Sequence, residues 1–320
     1  MEQPRASVGS RAGLAARPSV RVASPTEAVN PRTARIDEVP TAELVRLIND
    51  EDRLVPDAVA QLLPELARLV DEAAHRVSAG GRVHYFGAGT SGRLGVLDAA
   101  ELPPTFGVAP GEVVVAHQAG GPGAVQQAVE DAEDEEGGGD AAGITGADVV
   151  IGIAASGRTP YVAAALTAAR AAGAATALVT SNPTSPLSEL AGFLLVADTG
   201  PEAITGSTRL KAGTAAKLVL HTFSTALMVR LGRTYGHFMV DMLETNAKLR
   251  GRSVGMLVQA TGETEQRCTE ALAVCGFRKI ALVYLLAQRV GDGVPVTPER
   301  CRAALAGSGG RVRVALAALV

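Results

Sequence analysis

The sequence predicts an α/β protein with a doubly wound parallel sheet. Short Val- and Ile-rich runs recur between about residues 82 and 200, Ala-rich stretches of helical spacing separate several of them, and Gly/Ser turns follow two of the runs. Strands that are apolar throughout and alternate with helices belong to a parallel sheet covered on both faces.

The elements follow in order. Residues 1–24 mix Arg, Ser, Ala and Pro with few large apolar groups, so they bury too little surface to offset their ordering entropy and are expected to form a disordered tail. The Arg-rich, acid-poor composition also suits an organellar transit peptide. From Thr41 apolar residues recur at helical spacing until Gly80 and Gly81 stop the pattern. The strands expected next are "RVHYFGA", "EVVVAHQA" (112–119), "DVVIGIAAS" (148–156), "ATALVTSN" (175–182) and "FLLVADTG" (193–200).

After residue 206 the pattern changes to two long helices, "STRLKAGTAAKLVLHTFSTALMVRLG" and "FMVDMLETNAKLRGRSVGML", with no further strand expected. Shorter helices end the chain; "VTPERCRAALAGSGG" carries a Thr297 N-cap, Pro298 at the first helical position and Gly307 near the stop. The expected division is a tail (1–24), a sheet domain (25–254) and a small helical domain (255–320).

Composition narrows the function. The 320 residues are 47% hydrophobic, and the net charge of −3, from 30 basic and 33 acidic side chains, gives no electrostatic reason to expect nucleic acid or an anionic membrane as partner. Cys268, Cys275 and Cys301 match neither a zinc site nor a disulfide framework, and no apolar run reaches the ~20 residues of a membrane span. A cytoplasmic protein acting on a small ligand is expected.

In an open parallel sheet ligands sit at the carboxyl ends of strands, against the N–H groups that open the next helix. Two turns fit that place: "GAGTSGR" (87–93) offers Gly89, Thr90 and Ser91, and "AASGRT" (154–159) offers Ser156, Gly157 and Thr159. The first reads as G-x-G-x-x-G, but no acidic residue stands at the ribose position of a dinucleotide site and no Walker lysine is present. Hydroxyls in both turns suit a phosphate monoester better. Ordinary strand–helix turns with small residues are the plainer alternative. Ser207, Thr208 and Lys211 open the first long helix, where their hydroxyls and N–H groups would complete the grip; capping explains Ser207 or Thr208 equally well.

"FGAGTSGRLGVLDAAELPPTFG", "GIAASGRTPYV" and "ITGSTRLKAGTAAKLVLHTFSTALMVRLGRTYGHFMVDM" resemble the N-acetylmuramic acid 6-phosphate etherase family of the sugar isomerase (SIS) fold group, from about Thr26 to the end of the chain. The resemblance implies a lyase that splits the D-lactyl ether of N-acetylmuramic acid 6-phosphate into N-acetylglucosamine 6-phosphate and D-lactate during cell-wall amino-sugar recycling. It implies no metal or organic cofactor, a homodimer, and a C-terminal module of ubiquitin-associated-like shape. Its two catalytic glutamates fall on Glu101, the proton donor, in "DAAELPPTFG", and on Glu133 in "AVEDAEDEE".

The chemistry needs such a pair. An alkoxide leaves badly, so elimination is the easier route: ring opening exposes an aldehyde that acidifies the C2 proton, and its loss expels the lactyl oxygen from C3 before water adds back. Positioned acid–base groups typically contribute ~10²–10⁴-fold each. Glu101 is expected in the last turn of a helix ended by Pro103, where the negative end of the dipole favours a held proton. Glu133 sits among Glu130, Asp131, Asp134, Glu135 and Glu136; a solvated helix end is the bland reading of that run, and the family pattern singles out Glu133. Glu101 lies about 15 Å along the helix from Ser91 at ~1.5 Å per residue, so either the helix is shorter, the second turn holds most of the phosphate, or, as is expected here, Glu101 serves a site shared with a second subunit.

Of the five histidines, His84 and His117 fall in strands and are expected to be buried and hydrogen-bonded, and His221 packed on its helix, with a ring-opening role as the alternative. Glu202 is expected in a turn, on the surface or against sugar hydroxyls. Val29 stands where the family has an arginine. The rival functions are a non-catalytic phosphosugar sensor, as in the glucokinase regulatory protein, and a phosphosugar isomerase.

Overall fold

The computed structural model describes residues 24–129, 131–134, 143–242, 247–290 and 295–319; apart from Ser24, the expected tail lies outside the described residues. Five parallel strands form the main sheet: β1 (Val83–Gly87), β2 (Val114–Gln118), β3 (Val149–Ile153), β4 (Ala175–Thr180) and β5 (Phe193–Val196). Their spatial order is β2-β1-β3-β4-β5. Every residue of β1 and β3 is buried, which is why the sequence shows continuous apolar runs there. The order reverses between β1 and β3, so the crevice for a ligand opens beyond the carboxyl ends of those two strands.

Two layers of helices close the sheet. Before β1 come α1 (Thr41–Asp52), α2 (Val55–Ala60) and α3 (Leu63–Ser78); α4 (Gly89–Phe106) follows β1, and the short α5 (Gly123–Gln126) follows β2. The helix α6 (Pro160–Ala171) joins β3 to β4, and α7 (Lys211–Arg230) follows β5. On one face Leu66, Leu69, Phe106, Val219, Phe223 and Leu227 pack on Tyr85 and Ile151. On the other, Val162, Ala165 and Leu166 of α6 pack on Phe86, Val150 and Leu178. Each large side chain buried this way contributes about 1.5–3 kcal/mol.

Beyond α7 the chain departs from expectation. A small antiparallel pair, β6 (Thr234–Tyr235) and β7 (Phe238–Met239), forms where no further strand was expected, and α8 (Ala247–Thr261) starts only after it instead of at Phe238. Gly232 and Gly236, both at positive φ, make the turns that periodicity alone does not reveal. With α9 (Glu265–Cys275), α10 (Arg278–Val290), α11 (Pro298–Gly307) and α12 (Val312–Ala317), α8 builds a second apolar core. That core draws in Val240, ahead of the expected boundary at 255, and holds Cys268, Cys275 and Cys301 as buried free thiols. Thr297 caps α11 by accepting from the Arg300 N–H at 3.3 Å.

The helix α4 also differs from the sequence reading. It opens at Gly89 rather than Ser91, and it runs through Pro103 and Pro104 to a left-handed Gly107 instead of ending before them. Proline removes the N–H bonds to the carbonyls of Ala99 and Ala100, yet the buried Leu102 and Phe106 hold the last turns against the core. Glu101 is therefore interior to the helix, and the dipole argument for its proton affinity falls away.

The strand histidines are stacked, with His84 Nδ1 3.0 Å from His117 Nε2. Burial pushes both imidazoles down, His117 to about 4, where the neighbouring His84 adds to the effect. An unfolded imidazole takes its proton near pH 6.5, so between about 6.5 and 4 the unfolded chain binds more protons than the folded one. Stability is accordingly expected to fall as pH drops through that window. Melting temperatures recorded across it check this, and His117→Gln is expected to flatten the decline.

Candidate active site

Three loops meet at the crevice beyond β1 and β3. The first turn begins at Gly87 and enters α4, with Gly92 pressed so closely on the backbone that a Cβ there would lie 2.3 Å from the Gly87 carbonyl oxygen. Ser91 of this turn shares a small pocket with Ala155 of the second turn, Thr180 at the end of β4, Ser181 after it, and Ala212 of α7. Thr90 approaches the first turn of α7: a Cβ on Gly213 would stand 3.5 Å from Thr90 Cγ2 and 3.3 Å from the Thr208 carbonyl oxygen.

The second turn is braced from the end of β4 and the segment after it. Asn182 Nδ2 donates to the Ser156 carbonyl at 2.8 Å, Ser185 Oγ donates to the Gly157 carbonyl at 2.9 Å, and Thr180 Oγ1 donates to the Ala155 carbonyl at 3.1 Å. Gly157 adopts φ +64°, and a Cβ there would fall 2.1 Å from Ser185 Oγ. Only glycine fits such a turn. Thr159 occupies the N-cap of α6, yet its hydroxyl makes no capping bond, in contrast with Ser185, Thr264 and Thr297, which all cap their helices.

The third loop shows where two expectations need correction. Ser207 and Thr208 precede α7 instead of lying in it, because the helix starts at Lys211. They do not cap it. That task belongs to Glu202, expected at the surface or on the sugar, which is wholly buried and accepts from the Lys211 and Ala212 N–H groups at 2.9 and 3.0 Å. Burial raises the Glu202 pKa, and the two N–H bonds oppose that rise. The side chain of Lys211 is committed to the N-terminal segment: it is fully buried, and its Nζ lies 2.7 Å from Glu51 Oε2. Arg32 closes on the same carboxylate, holding the Glu51 pKa down to about 2. Lys211 thus anchors the N-terminal segment and is not presented to a ligand.

Glu133 reaches the site. It lies in a short 3₁₀ turn, Ala132–Asp134, and with Gly89, Arg93, Gln118 and Asp131 it lines a cavity of about 170 Å³ at the carboxyl ends of β1 and β2. Arg93 fixes the loop opposite by donating to the Val125 and Gln127 carbonyls at 3.0 and 3.1 Å. Its rivals Glu130, Glu135 and Glu136 lie outside the described residues.

Glu101 stands apart in the single chain. It is exposed on α4, about 18 Å along the helix from Gly89 at ~1.5 Å per residue. Beside it an apolar groove of about 440 Å³ runs between Val96, Ala100 and Pro103 of α4 and Val115 of the edge strand β2. One turn before Glu101, the buried Asp98 accepts from Tyr85 OH at 3.0 Å and Ser224 Oγ at 2.8 Å, tying α4 to β1 and α7. Burial raises the Asp98 pKa. His221, expected to be packed, is half exposed with its Nε2 3.9 Å from Asp98 Oδ1.

Sequence reasoning assigned no role to Arg158, the one cation within "AASGRT", although its position between Gly157 and Thr159 was a signal. Among the described residues no cluster of three metal-ligating side chains occurs, and no helix is long and apolar enough to cross a membrane.

Known proteins match this architecture. The family model of the glucokinase regulatory protein N-terminal SIS domain matches residues 65–170, and that of the SIS domain matches residues 124–226. The N-acetylmuramic acid 6-phosphate etherase of Thermobifida fusca is 58% identical over 83% of this chain and 88% of its own. Those of Serratia proteamaculans and Cronobacter sakazakii are 50% and 47% identical, over 82% and 91% of this chain and 90% and 97% of theirs. With such identity along nearly the whole of each relative, this chain belongs to the N-acetylmuramic acid 6-phosphate etherase family.

Proposed function

We infer that the protein is a carbon–oxygen lyase acting on N-acetylmuramic acid 6-phosphate in amino-sugar recycling, giving N-acetylglucosamine 6-phosphate and D-lactate. The observation that carries this reading is the cavity lined by Gly89 and Glu133 at the carboxyl ends of β1 and β2, together with the small pocket that Ser91 shares with Ala155 of the second turn. Backbone N–H groups and hydroxyls there would hold the phosphoryl group, leaving the sugar to extend toward Glu133.

The chemistry then divides between two carboxyl groups. Proton loss from C2 and proton delivery to the lactyl oxygen need groups on different sides of the C2–C3 bond. Glu133 supplies one. Glu101, too far down α4 to serve the Gly89 crevice of its own chain, supplies the other to the site of a second protomer. The apolar groove beside Glu101 supports this homodimer, since a contact there would bury it and bring the carboxyl to the partner's cavity. The cytoplasm is the proposed compartment, where the three thiols stay reduced.

Incubation with N-acetylmuramic acid 6-phosphate in deuterated water tests the reading. D-lactate is expected in the medium and deuterium at C2 of the product sugar. Release of no lactate would overturn the lyase in favour of a sensor, and C2 exchange without lactate would favour an isomerase.

A further inference from the structure

A phosphoryl dianion calls for a fixed positive charge, and the cations nearest the three loops are already committed. Lys211 and Arg32 are both engaged by Glu51, and Arg93 is engaged by the Val125 and Gln127 carbonyls. Two remain without a partner among the described residues: Arg158 in the second turn and Arg209 in the third loop. Arg209 is exposed, as ordinary surface arginines are. Arg158 is different. It is part-buried, and its Nε is enclosed with no hydrogen-bond acceptor.

Two features of that placement are unfavourable for the arginine by itself. Enclosing part of a guanidinium without an acceptor costs free energy. Arg158 also stands immediately before the N-cap of α6, at the positive end of a helix dipole, where a cation is repelled. An anion in the turn reverses both effects, because it accepts from the guanidinium and is itself drawn to the helix N-terminus. The bonds from Asn182 and Ser185 hold the backbone of this turn, so the arginine is presented from a fixed base.

We propose that Arg158 is a binding residue for the substrate's phosphoryl group, supplying a positive charge beside the hydroxyls and N–H groups of the turns. The proposal rests on the phosphosugar reading of the site but not on the lyase chemistry. Its test is therefore direct binding by the full-length protein, measured calorimetrically with inorganic phosphate, N-acetylglucosamine 6-phosphate and D-lactate. Arg158→Met is expected to weaken both phosphorylated ligands on the order of 10- to 100-fold, as loss of a charge-assisted bond does, while its melting temperature without ligand stays level or rises. Arg158→Lys, keeping charge but losing the planar fork, is expected to fall between.

In turnover the loss is expected in KM, with kcat changed far less. Phosphate affinity unchanged within twofold in Arg158→Met would overturn the assignment. So would a loss confined to D-lactate, or a loss that appears in Arg209→Ala instead. Should the methionine variant fail to fold, the lysine variant decides: wild-type phosphate affinity together with a lowered melting temperature marks a structural arginine. Wild-type protein that binds phosphate but releases no lactate would sink the lyase reading and leave Arg158 standing.

Discussion

Glu101→Gln and Glu133→Gln are each expected to lose about 10²–10⁴-fold in lactate release while still binding N-acetylglucosamine 6-phosphate. Both side chains are exposed in the single chain, so the amide fits either position without strain and the loss reports proton transfer. The two variants mixed and allowed to exchange protomers give the sharper result. If one carboxyl comes from each chain, a mixed dimer contains one intact site and one doubly altered site. Half the dimers are mixed, so recovery of about a quarter of wild-type activity is expected. Lactate assayed before and after exchange checks it; no recovery would mean that both glutamates serve the site of one chain, and the long reach down α4 would need another explanation.

Glu51→Gln is expected to cost about 3–5 kcal/mol of stability, because it leaves the ammonium of Lys211 enclosed without an anion. Lys211 and Glu51 are each nearly inaccessible, with side-chain exposures of 1% and 2%. Replacing both, as in Glu51→Leu with Lys211→Met, is expected to recover much of that loss, since an apolar pair of similar volume needs no solvation. Urea unfolding of the two singles and the double measures the coupling. A single-variant cost below about 1 kcal/mol would show that the ammonium finds water or another acceptor. The carboxyl is held down to about 2 against an ordinary 4.5, so its contribution is complete above about pH 4.5 and is lost as pH falls toward 2. That window begins near the acid end of the one in which His117 acts, so the Glu51 loss follows the histidine loss as pH falls.

The consequence for ligand binding is indirect. Lys211 is the first residue of α7, its N–H is held by Glu202, and the loop bearing Ser207 and Thr208 leads straight into it. The same loop is tied to the N-terminal segment, where Thr33 Oγ1 donates to the Ala203 carbonyl at 2.9 Å and the Gly206 N–H donates to the Thr26 carbonyl at 3.0 Å. Val29, in place of the family's arginine, is 70% exposed and takes no part in these ties.

The five strands and the two Gly/Ser turns were legible without coordinates. A strand buried on both faces must be apolar at every position, and a backbone that enters the left-handed region or presses on its neighbour must use glycine, so both leave marks in short stretches of chain. The etherase resemblance was legible for the same reason, being carried by contiguous runs around those turns. What no local pattern contains is the choice of partner between distant segments. Nothing near Lys211 reveals that Glu51 will neutralise it, nothing near Glu202 reveals that it will cap α7, and Pro103 obeyed the packing of Leu102 and Phe106 on the core over its own preference to end a helix. Those outcomes depend on which buried charge or apolar face is nearest once the chain is compact, and an enclosed charge takes whatever counter-charge the fold brings to it.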